Sequence, residues 1–531
     1  MNFVGELLDH IAEPEQVAIV DVTTRLTYGE LQRRSNTIAW ALRETGHRPG
    51  ERIGLVIAPS AAFIEAYLGV IKAGLVAVPL PTRSSDSELG FFVTHADLRA
   101  MIIEPEFGGD HRRTLAVPVY PIDGTRSDVG PLRQSTGDAR LAPPAVGAPE
   151  DDAAIFFTSG SSGNPKAVRL SHIAVLHSVA AMIDAYATTS SDVGLCHTPL
   201  SHVSLHFMPL PLLVAGGVIV FDRQFSPSRG WNLLAEHGVT QLMTVTATGL
   251  LIAKHADTLG ETAVLPKLRK IFTGGAVVPP EFARLWHKFA PHATVVNSYG
   301  MTEMSSGVAR SDADRMRVKE SSVGLPYLGM QVQIGEDGAD PGTVGEIWAK
   351  GPSRMSGYLN NPDATARTLV GDWLRTGDLG YLDEDGYLYV VGRKDSQIKR
   401  GGEIVRPDEI EALLSALDDV REAAVLGRAD PILGERVVAI IAPQTEREIS
   451  GADIIAQVAE SLSDYKIPEY IAVLADGLPK TATGKIDRPG LSKLLSSDEL
   501  PLDDVRHVRK RRPSTFSTDR RVTPEGEKHR R

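Results

Sequence analysis

From Phe156 to Val168 the chain reads FFTSGSSGNPKAV, an apolar, strand-like start followed by a loop of small residues that leads to Lys166. Small residues let backbone N–H groups approach phosphate oxygens, hydroxyl groups add donors, and a lysine supplies a positive charge. The stretch therefore predicts a loop that holds a polyphosphate at the end of a buried strand. The residues assigned to this loop are Thr158, Ser159, Gly160, Ser161, Ser162, Gly163 and Lys166.

The loop differs from two other well-known motifs. Glycine does not precede Lys166, and Ala167 occupies the position where a Walker A loop has the Ser or Thr that binds magnesium. Its serines also lack the G-x-S-x-G spacing of a hydrolase nucleophile. A loop rich in Gly and Ser can equally be a plain surface loop, so its interpretation depends on the rest of the chain.

Outward from this loop, helical and extended patterns alternate along most of the chain, which predicts an α/β fold with largely buried sheets. A capping box formed by Thr27 and Glu30 starts one amphipathic helix, and Phe63 and Tyr67 belong to the apolar stripe of another. Short apolar runs that end in turn residues predict buried strands at residues 53–57, 218–221, 242–245, 271–275 and 295–300. Ligands of open α/β sheets usually bind at the carboxyl ends of such strands.

A domain boundary is predicted near Asp395, shortly after a hairpin turn at residues 383–386. We expect residues 1–394 to form a large N-terminal domain of several mixed sheets flanked by helices. Residues 395–500 are expected to form a small, mobile α+β domain that carries a catalytic lysine. Residues 501–531 are predicted to be a basic, disordered tail, since ten Lys or Arg face three Asp or Glu from Arg506 onward.

Composition argues against several classes of function. The chain has 531 residues, of which 42% are hydrophobic and 23% charged, and its net charge is −11. A basic face is required to bind nucleic-acid phosphates, so an acidic body argues against nucleic acid as the main ligand. A single cysteine, Cys196, and the absence of a signal-like start indicate a reducing, cytoplasmic setting. The most apolar stretch, at residues 208–221, is too short to span a membrane.

Seven more segments accompany the loop. They are KAGLVAVPLP (72–81), TGGA (273–276), NSYGMTE (297–303), GEIWAKG (345–351), WLRTGDLG (373–380), GRKDSQIKRGGEIV (392–405) and PKTATGKIDR (479–488). With these segments in this order, residues 10–495 resemble the adenylate-forming superfamily of acyl-CoA synthetases, aryl-CoA ligases, peptide-synthetase adenylation domains and beetle luciferases. The resemblance implies an ATP- and Mg²⁺-dependent ligase that forms an acyl-AMP and passes the acyl group to a thiol.

The resemblance also implies roles for individual residues in nucleotide binding. Tyr299 is expected to stack on the adenine base. Asp378 and Arg393 match the residues that hold the ribose hydroxyls in similar enzymes. The remaining residues assigned to the nucleotide from these segments are Gly274, Gly275, Ala276, Asn297, Ser298, Gly300, Met301 and Thr302.

Lys485, Thr302, Glu303, Lys166 and His202 match catalytic residues of the superfamily, and Thr158 and Glu303 match its metal ligands. Thr158 and Glu303 are expected to bind Mg²⁺, which prefers oxygen ligands, and Thr302 to donate to the α-phosphate. Lys485 matches the lysine that neutralises charge while a carboxylate oxygen attacks the α-phosphorus. Considered singly, these residues could also be solvated or turn residues.

Other matches concern the thiol-transfer step. Asp395 falls at the hinge of the superfamily, and Lys399, Gly401 and Gly402 match a loop that enters the site after adenylation. His202 matches a position that gates the acid pocket against the thiol tunnel in relatives. The spacing of His197, His206 and Cys196 around it fits no zinc pattern, so a metal site there is rejected.

Three functions stay open at this stage. The first is an acyl-CoA synthetase that uses coenzyme A, and the second is a ligase that loads the phosphopantetheine of an acyl carrier protein. The third is a nucleotide-binding regulator without catalysis.

An amino acid substrate is disfavoured because residues 204–207 offer no aspartate anchor. The acid pocket is expected to include His206, Thr246, Gly274, Ala276, Gly300, Ser305 and Ser306.

Overall fold

A computed structural model describes the chain in the ranges 2–11, 13–21, 24–108, 115–123, 132, 137–158, 165–260, 264–275, 278, 280–311, 319, 321–400, 403–444, 449–481 and 484–508. The chain divides into two compact units. The first comprises Met1–Asp395 and Lys480–Pro489, and the second comprises Ser396–Pro479 and Gly490–Arg531. The segment that carries Lys485 therefore groups with the first unit, although it lies beyond residue 395 in the sequence.

The strands of the first unit are β1 (Val17–Val20), β2 (Arg25–Thr27), β3 (Arg52–Val56), β4 (Val76–Pro79), β5 (Leu98–Ile103), β6 (Val119–Pro121), β7 (Asp152–Thr158), β8 (Lys166–Ser171), β9 (Val193–Cys196), β10 (Val218–Phe221), β11 (Gln241–Met243), β12 (Lys270–Gly274), β13 (Thr294–Met301), β14 (Ser306–Arg310), β15 (Leu325–Pro326), β16 (Gln331–Ile334), β17 (Gly345–Lys350), β18 (Gly357–Tyr358), β19 (Leu369–Val370), β20 (Trp373–Leu382) and β21 (Leu388–Arg393). Its helices are α1 (Tyr28–Glu44), α2 (Ala61–Lys72), α3 (Asp86–His95), α4 (Pro105–Gly108), α5 (His172–Tyr186), α6 (Ser204–Phe207), α7 (Pro209–Val214), α8 (Pro227–Glu236), α9 (Thr246–Asp257), α10 (Pro280–Phe289) and α11 (Pro362–Thr368).

Within the described ranges, these strands form three sheets. Nine strands make the first sheet in the order β15-β14-β13-β12-β11-β9-β10-β1-β2, and β13, β12, β11, β9, β10 and β1 run parallel to their neighbours in that series. Seven strands make the second, in the order β18-β8-β7-β4-β3-β5-β6, where β7 and β8 are antiparallel. The third has the order β16-β17-β20-β19, with β21 paired to β20.

Apolar side chains cover both faces of the two larger sheets. The core that contains Ile38 of α1, Tyr67 of α2 and Val175 of α5 joins residues of both sheets, so these helices lie between them. Helices α8, α9 and α10 pack around Trp286 on the other face of the first sheet, and α3 packs through Phe92 on the other face of the second. The predicted α/β fold with mixed sheets and flanking helices is confirmed.

Local sequence explains how several elements begin and end. The Thr27 side chain accepts from the Glu30 amide (3.2 Å), and the Glu30 carboxylate accepts from the Thr27 amide (2.9 Å), which is the predicted capping box of α1. Helix α2 is buried along its whole length, including the predicted Phe63 stripe. The chain leaves it through Gly74, whose φ of +77° suits glycine. The five apolar segments that the sequence predicted to be buried strands all contain or overlap strands of the structure.

The second unit has its own sheet and core. Its strands are β22 (Ile398–Arg400), β23 (Glu403–Val405), β24 (Val420–Asp430), β25 (Gly434–Pro443), β26 (Tyr470–Val473) and β27 (Asp503–Asp504); its helices are α12 (Pro407–Ser415), α13 (Gly451–Ala459) and residues 490–496 of α14 (Arg488–Ser496). The strand order is β23-β22-β25-β26-β27, with β24 paired to β25. Ile410 and Ile455 bury the helices against this sheet. The unit is an α+β fold.

Among the described residues, no helix is long and apolar enough to cross a membrane.

Candidate active site

The segment predicted to bind phosphate is flanked by two paired strands, β7 and β8. Thr158 ends β7 and is opposite Lys166, the first residue of β8, and the Thr158 hydroxyl donates to the Lys166 carbonyl oxygen (3.4 Å). The antiparallel ladder thus fixes both ends of the loop, as the strand-like start at Phe156 predicted. Ser159, Gly160, Ser161, Ser162 and Gly163 lie outside the described residues.

Glu303 lies on a single 3₁₀ turn, Thr302–Met304, directly after β13. Its side chain is buried, and its Oε1 accepts from the Tyr358 hydroxyl (2.9 Å). Its backbone carbonyl accepts from the Met355 amide (2.8 Å). The turn packs against β8, so the structure brings the predicted metal ligand beside the strand that begins at Lys166.

Lys166 contacts the ring of the same tyrosine, Tyr358. Its Nζ lies 5.1 Å from the centroid of the Tyr358 ring, a cation–π distance. Tyr358 therefore contacts two residues that the sequence assigned to phosphate and metal binding. Tyr358 could not be recognised from the sequence, because an aromatic residue before a helix start gives no local indication of such contacts.

The predicted ribose-binding pair is assembled across two strands. Asp378 of β20 is opposite Arg393 of β21, and Arg393 Nε donates to Asp378 Oδ1 (2.8 Å). The Tyr299 hydroxyl donates to Asp378 Oδ2 (2.6 Å). Burial, followed by the neighbouring negative charge of Asp378, raises the pKa of Tyr299 well above its usual value, so the hydroxyl stays a donor. Each carboxylate oxygen keeps lone-pair capacity for a further hydrogen bond.

Lys485 lies in a tight turn within the segment that groups with the first unit. The Thr481 amide donates to the Lys485 carbonyl (2.8 Å), and Gly484 adopts a φ of +80° next to it. Desolvation and then the positive charge of Arg393 lower the pKa of the Lys485 ammonium, while Glu303 acts in the opposite direction. By surface area the Lys485 residue is exposed, although neighbouring protein atoms still desolvate its ammonium group.

Thus Glu303, Arg393 and Lys485 share one electrostatic neighbourhood, and Tyr358 connects Glu303 with Lys166. Around β13, Asn297 pairs with Thr273, Ser298 hydrogen bonds to the Tyr327 hydroxyl (2.8 Å), and Met301 pairs with Ser306. Ala276 lies outside the described residues.

The predicted glycines have a second role in the sheet. A Cβ at Gly274 would collide with the Ser298 carbonyl oxygen, and a Cβ at Gly300 would collide with that of Ser306. Both glycines therefore permit close approach between backbone segments, whatever they contact in a bound nucleotide. Gly275, with a φ of +78°, faces open space.

His206, expected in the acid pocket, is fully buried in the core. One ring nitrogen is hydrogen bonded to the Tyr67 hydroxyl (3.1 Å) and the other to the Ser305 hydroxyl (3.1 Å). Burial lowers the pKa of His206 to about 3, so the ring is neutral at physiological pH. Ser306 and Thr246 are also buried, and the Thr246 hydroxyl is hydrogen bonded to that of Thr273 (3.2 Å).

His202 is half-buried in the turn that precedes α6, where its carbonyl accepts from the Leu205 amide (3.3 Å). His197 is hydrogen bonded through Nε2 to Thr244 (3.2 Å). Among the described residues, no group of three or more His, Cys, Asp or Glu is arranged to hold a metal ion.

In the second unit, Lys399 belongs to β22 and pairs with Ile404 of β23. The next residue, Arg400, donates through Nε and Nη2 to both carboxylate oxygens of Glu469 (3.0 Å each), and Arg436 Nη1 donates to the same carboxylate (2.8 Å). This ion-pair cluster anchors the end of β22. Gly401 and Gly402 lie outside the described residues.

The donor set fits a magnesium–nucleotide complex. Mg²⁺ is commonly held by one or two carboxylates together with phosphate oxygens and water, and Glu303 and Thr158 supply oxygen donors of this kind. Lys166, Arg393 and Lys485 bring positive charge, as a bound polyphosphate requires.

Comparison with known proteins agrees with this assembly. Residues 9–359 match the family model described as AMP-binding enzyme, and residues 409–485 match the AMP-binding enzyme C-terminal domain. The chain is 31% identical to a feruloyl-CoA synthase from Amycolatopsis sp. over 89% of this chain and 94% of the relative. It is also 31% identical to an indoleacetate–CoA ligase from Aromatoleum aromaticum, over 91% and 96%.

A solved structure of o-succinylbenzoate coenzyme A synthetase from Bacillus subtilis, in complex with ATP and magnesium ion, superimposes with a TM-score of 0.82 at 27% identity. The alignment covers 92% of this chain and 99% of that one. The family models together span most of the sequence, and the same segments supply the clustered side chains described above. The chain therefore belongs to the AMP-binding enzyme family.

Proposed function

We propose that this chain is an AMP-forming acid–thiol ligase, which activates a carboxylic acid with ATP and transfers the acyl group to coenzyme A. The observation that carries the proposal is the contact of both Glu303 and Lys166 with Tyr358, with Arg393 and Lys485 in the same electrostatic neighbourhood. A nucleotide-binding regulator would not require a buried carboxylate, Glu303, that is held by Tyr358 beside the cationic Lys166. The CoA ligases among its relatives support the choice of acceptor.

In the first half-reaction, a carboxylate oxygen of the acid attacks the α-phosphorus of ATP, and the bond to pyrophosphate breaks. Lys485 is placed to neutralise negative charge on the acid and the α-phosphate as that attack proceeds. Lys166 and the phosphate loop hold the departing pyrophosphate. Magnesium, when bound through Glu303 and Thr158, supplies charge neutralisation between the phosphate groups.

The nucleoside end of ATP is assigned to the other side of the site. Asp378 accepts the ribose hydroxyl hydrogens through the lone pairs that Tyr299 and Arg393 do not use. Arg393 fixes the orientation of that carboxylate. The ring of Tyr299 lies beside the base.

In the second half-reaction, the thiol attacks the acyl carbonyl carbon, loses its proton, and AMP leaves. We assign this step to a different domain orientation, with a hinge at Asp395 and with Lys399, Gly401 and Gly402 at the thiol channel. His202 is assigned to the boundary between acid and thiol. The Arg400–Glu469 ion pair supports this assignment, because it holds the strand that leads into the loop.

The acid is proposed to be a simple carboxylic acid rather than an amino acid. The segment 204–207 contains no carboxylate, and the polar atoms of His206 are used by Tyr67 and Ser305. A substrate ammonium group would therefore find no anionic partner on α6.

A pyrophosphate-release screen over acids of graded size tests the proposal. The assay should be run with no acceptor, with coenzyme A and with a phosphopantetheinylated carrier protein, using Lys493→Ala as a control for an exposed lysine. Acid-dependent pyrophosphate release and acyl-CoA formation are expected. Transfer to the carrier protein alone would identify the carrier protein, and not coenzyme A, as the acceptor. Pyrophosphate release that is absent, or that does not depend on an acid, would contradict the proposed function.

A further inference from the structure

Tyr358 is held rigidly by the strand that starts at the phosphate loop. It pairs with Val168 of β8, and the following residue, Leu359, donates its amide hydrogen to the Ala167 carbonyl (2.8 Å). The Tyr358 amide donates to the Thr365 hydroxyl (2.9 Å). Backbone bonds on both sides therefore fix where the tyrosine ring points, and only 7% of the residue is exposed.

The same short segment holds Glu303 at two points. The Met355 amide binds its backbone carbonyl, and the Tyr358 hydroxyl binds Oε1 of its side chain. A carboxylate has two oxygens, so a donor on Oε1 orients Oε2 as the oxygen that can coordinate a cation. Hydrogen bonds to ionised groups are among the stronger ones in proteins, so this contact restricts the carboxylate rotamer.

Tyr358 also restrains Lys166. The Nζ lies over the ring at 5.1 Å, at the point where β8 emerges from the phosphate loop. The ring and the hydroxyl therefore serve different partners. This separation allows the two contacts to be removed one at a time.

We propose that Tyr358 is a positioning residue for the magnesium–nucleotide complex, in which its hydroxyl orients Glu303 for coordination through Oε2 and its ring keeps Lys166 beside the phosphates. The inference rests on the proposed function, since it requires a magnesium–ATP complex at this site. Burial, and then the negative charge of Glu303, raise the pKa of Tyr358, which keeps its hydroxyl protonated as a donor.

Tyr358→Phe removes the hydroxyl and keeps the ring. Equilibrium binding of ATP should be measured by calorimetry, without acid or thiol, in the presence of Mg²⁺ and again in EDTA. We expect the affinity for ATP with Mg²⁺ to fall by about tenfold, as for loss of one hydrogen bond to a charged group, with less than a twofold change in EDTA. Tyr358→Leu should weaken binding in both conditions, because it also removes the contact with Lys166.

Tyr28→Phe is the matched control. It deletes another buried tyrosine hydroxyl, which donates to the carbonyls of Leu213 and Gly217 (3.1 and 2.7 Å), and it should leave the magnesium dependence of binding unchanged. Thermal unfolding of each variant would separate loss of fold from loss of binding.

Wild-type magnesium dependence in Tyr358→Phe, or an equal loss in Tyr28→Phe, would overturn the inference. If the unsubstituted chain bound magnesium–ATP but released no pyrophosphate with any acid, the proposed function would fail while the role of Tyr358 in binding stood. If the unsubstituted chain did not bind magnesium–ATP, both would fail.

Discussion

Lys485 and Glu303 have opposite charges in the same neighbourhood, but the larger influences on Lys485 are desolvation and Arg393, and both favour its neutral form. The charged form of a lysine in this setting is stabilised when an anion binds beside it. In the proposed reaction, the incoming acid and the α-phosphate carry that negative charge. At the scale of single residues, the site is thus arranged to favour the charge that develops during adenylation.

Replacing Lys485 with alanine should reduce acyl-AMP formation about 100-fold, because one preorganised charge is lost from the transition state. Thioester formation from supplied acyl-AMP should remain near the wild-type rate, since that step is assigned to the other domain orientation. Stopped assays of the two half-reactions would measure this difference, with Lys493→Ala, an exposed lysine of α14, as the control. An equal loss in both half-reactions would argue against the division of roles.

The lowered pKa of Lys485 predicts a pH effect with a definite sign. The ammonium is the active form, and it loses its proton as the pH rises through a value below the usual 10.5. The kcat/KM for adenylation, which reports the free enzyme, should therefore decline on the alkaline side at a lower pH than a free lysine would dictate. In Lys485→Arg the guanidinium stays charged above pH 12, so the alkaline decline should shift upward even if the maximal rate falls. Pyrophosphate-release profiles with the same alkaline limb in both proteins would contradict this assignment.

At the scale of elements, the junction between β13 and β14 positions the Thr302–Met304 turn, which carries the proposed metal ligand Glu303. The strands approach closely at Gly300, where the pairing register shifts. Ser305 then adopts a φ of +52°, and its carbonyl accepts from the Ser178 hydroxyl of α5 (2.7 Å). A non-glycine residue in this conformation is unfavourable, so the surrounding hydrogen bonds compensate for a strained reversal two residues after Glu303.

Gly300→Ala should force β13 and β14 apart, because the added Cβ has no space beside the Ser306 carbonyl. We expect a lower thermal midpoint and at least a tenfold loss of magnesium–ATP affinity through displacement of the Thr302–Met304 turn, by analogy with the loss of one charged hydrogen bond. Gly338→Ala is the control. Its φ of +76° imposes a backbone cost of about 1 kcal/mol, but its Cβ meets open space, so binding should be unchanged. Unaltered binding in Gly300→Ala would show that the turn does not depend on this junction.

At the scale of the whole molecule, buried neutral histidines predict sensitivity of the fold to acid. Burial lowers the pKa of His206 to about 3 and that of His197 to about 4, against 6.5 in the unfolded chain. Between these values the unfolded chain binds protons that the native chain does not, so the free energy of unfolding falls as the pH drops below 6.5. Each histidine contributes a loss of about 2 kcal/mol between pH 6.5 and pH 5.

His206→Gln removes one of these titrations. The variant should be less stable than the wild type at pH 7.5, because the bonds to Tyr67 and Ser305 are disturbed, but its thermal midpoint should fall less between pH 7.5 and pH 5. Thermal unfolding at both pH values would measure the difference, with His292→Gln as an exposed control. Parallel pH dependence in wild type and variant would rule out His206 as a source of acid sensitivity.

The amino-acid sequence by itself determined features that depend on neighbouring residues. The capping box at Thr27, the buried runs that became strands, the turn at residues 383–386 and the ordered signature segments all act over a few positions. Short-range hydrogen bonding and apolar periodicity decide such features, so they can be recognised without a fold. The family and its α/β architecture followed from them.

Only the tertiary structure decided which distant side chains meet. Tyr358 joins Glu303, 55 positions earlier, to Lys166, and its importance could not be predicted because the contacts depend on the pairing of β18 with β8. His206, predicted at the acid pocket, is buried, and both of its ring nitrogens are hydrogen bonded, to partners that its sequence context did not indicate. A polar residue in an apolar segment can face either a ligand or a core. Packing makes that choice, since burial without a partner costs several kcal/mol and the partners come from helices and turns remote in sequence.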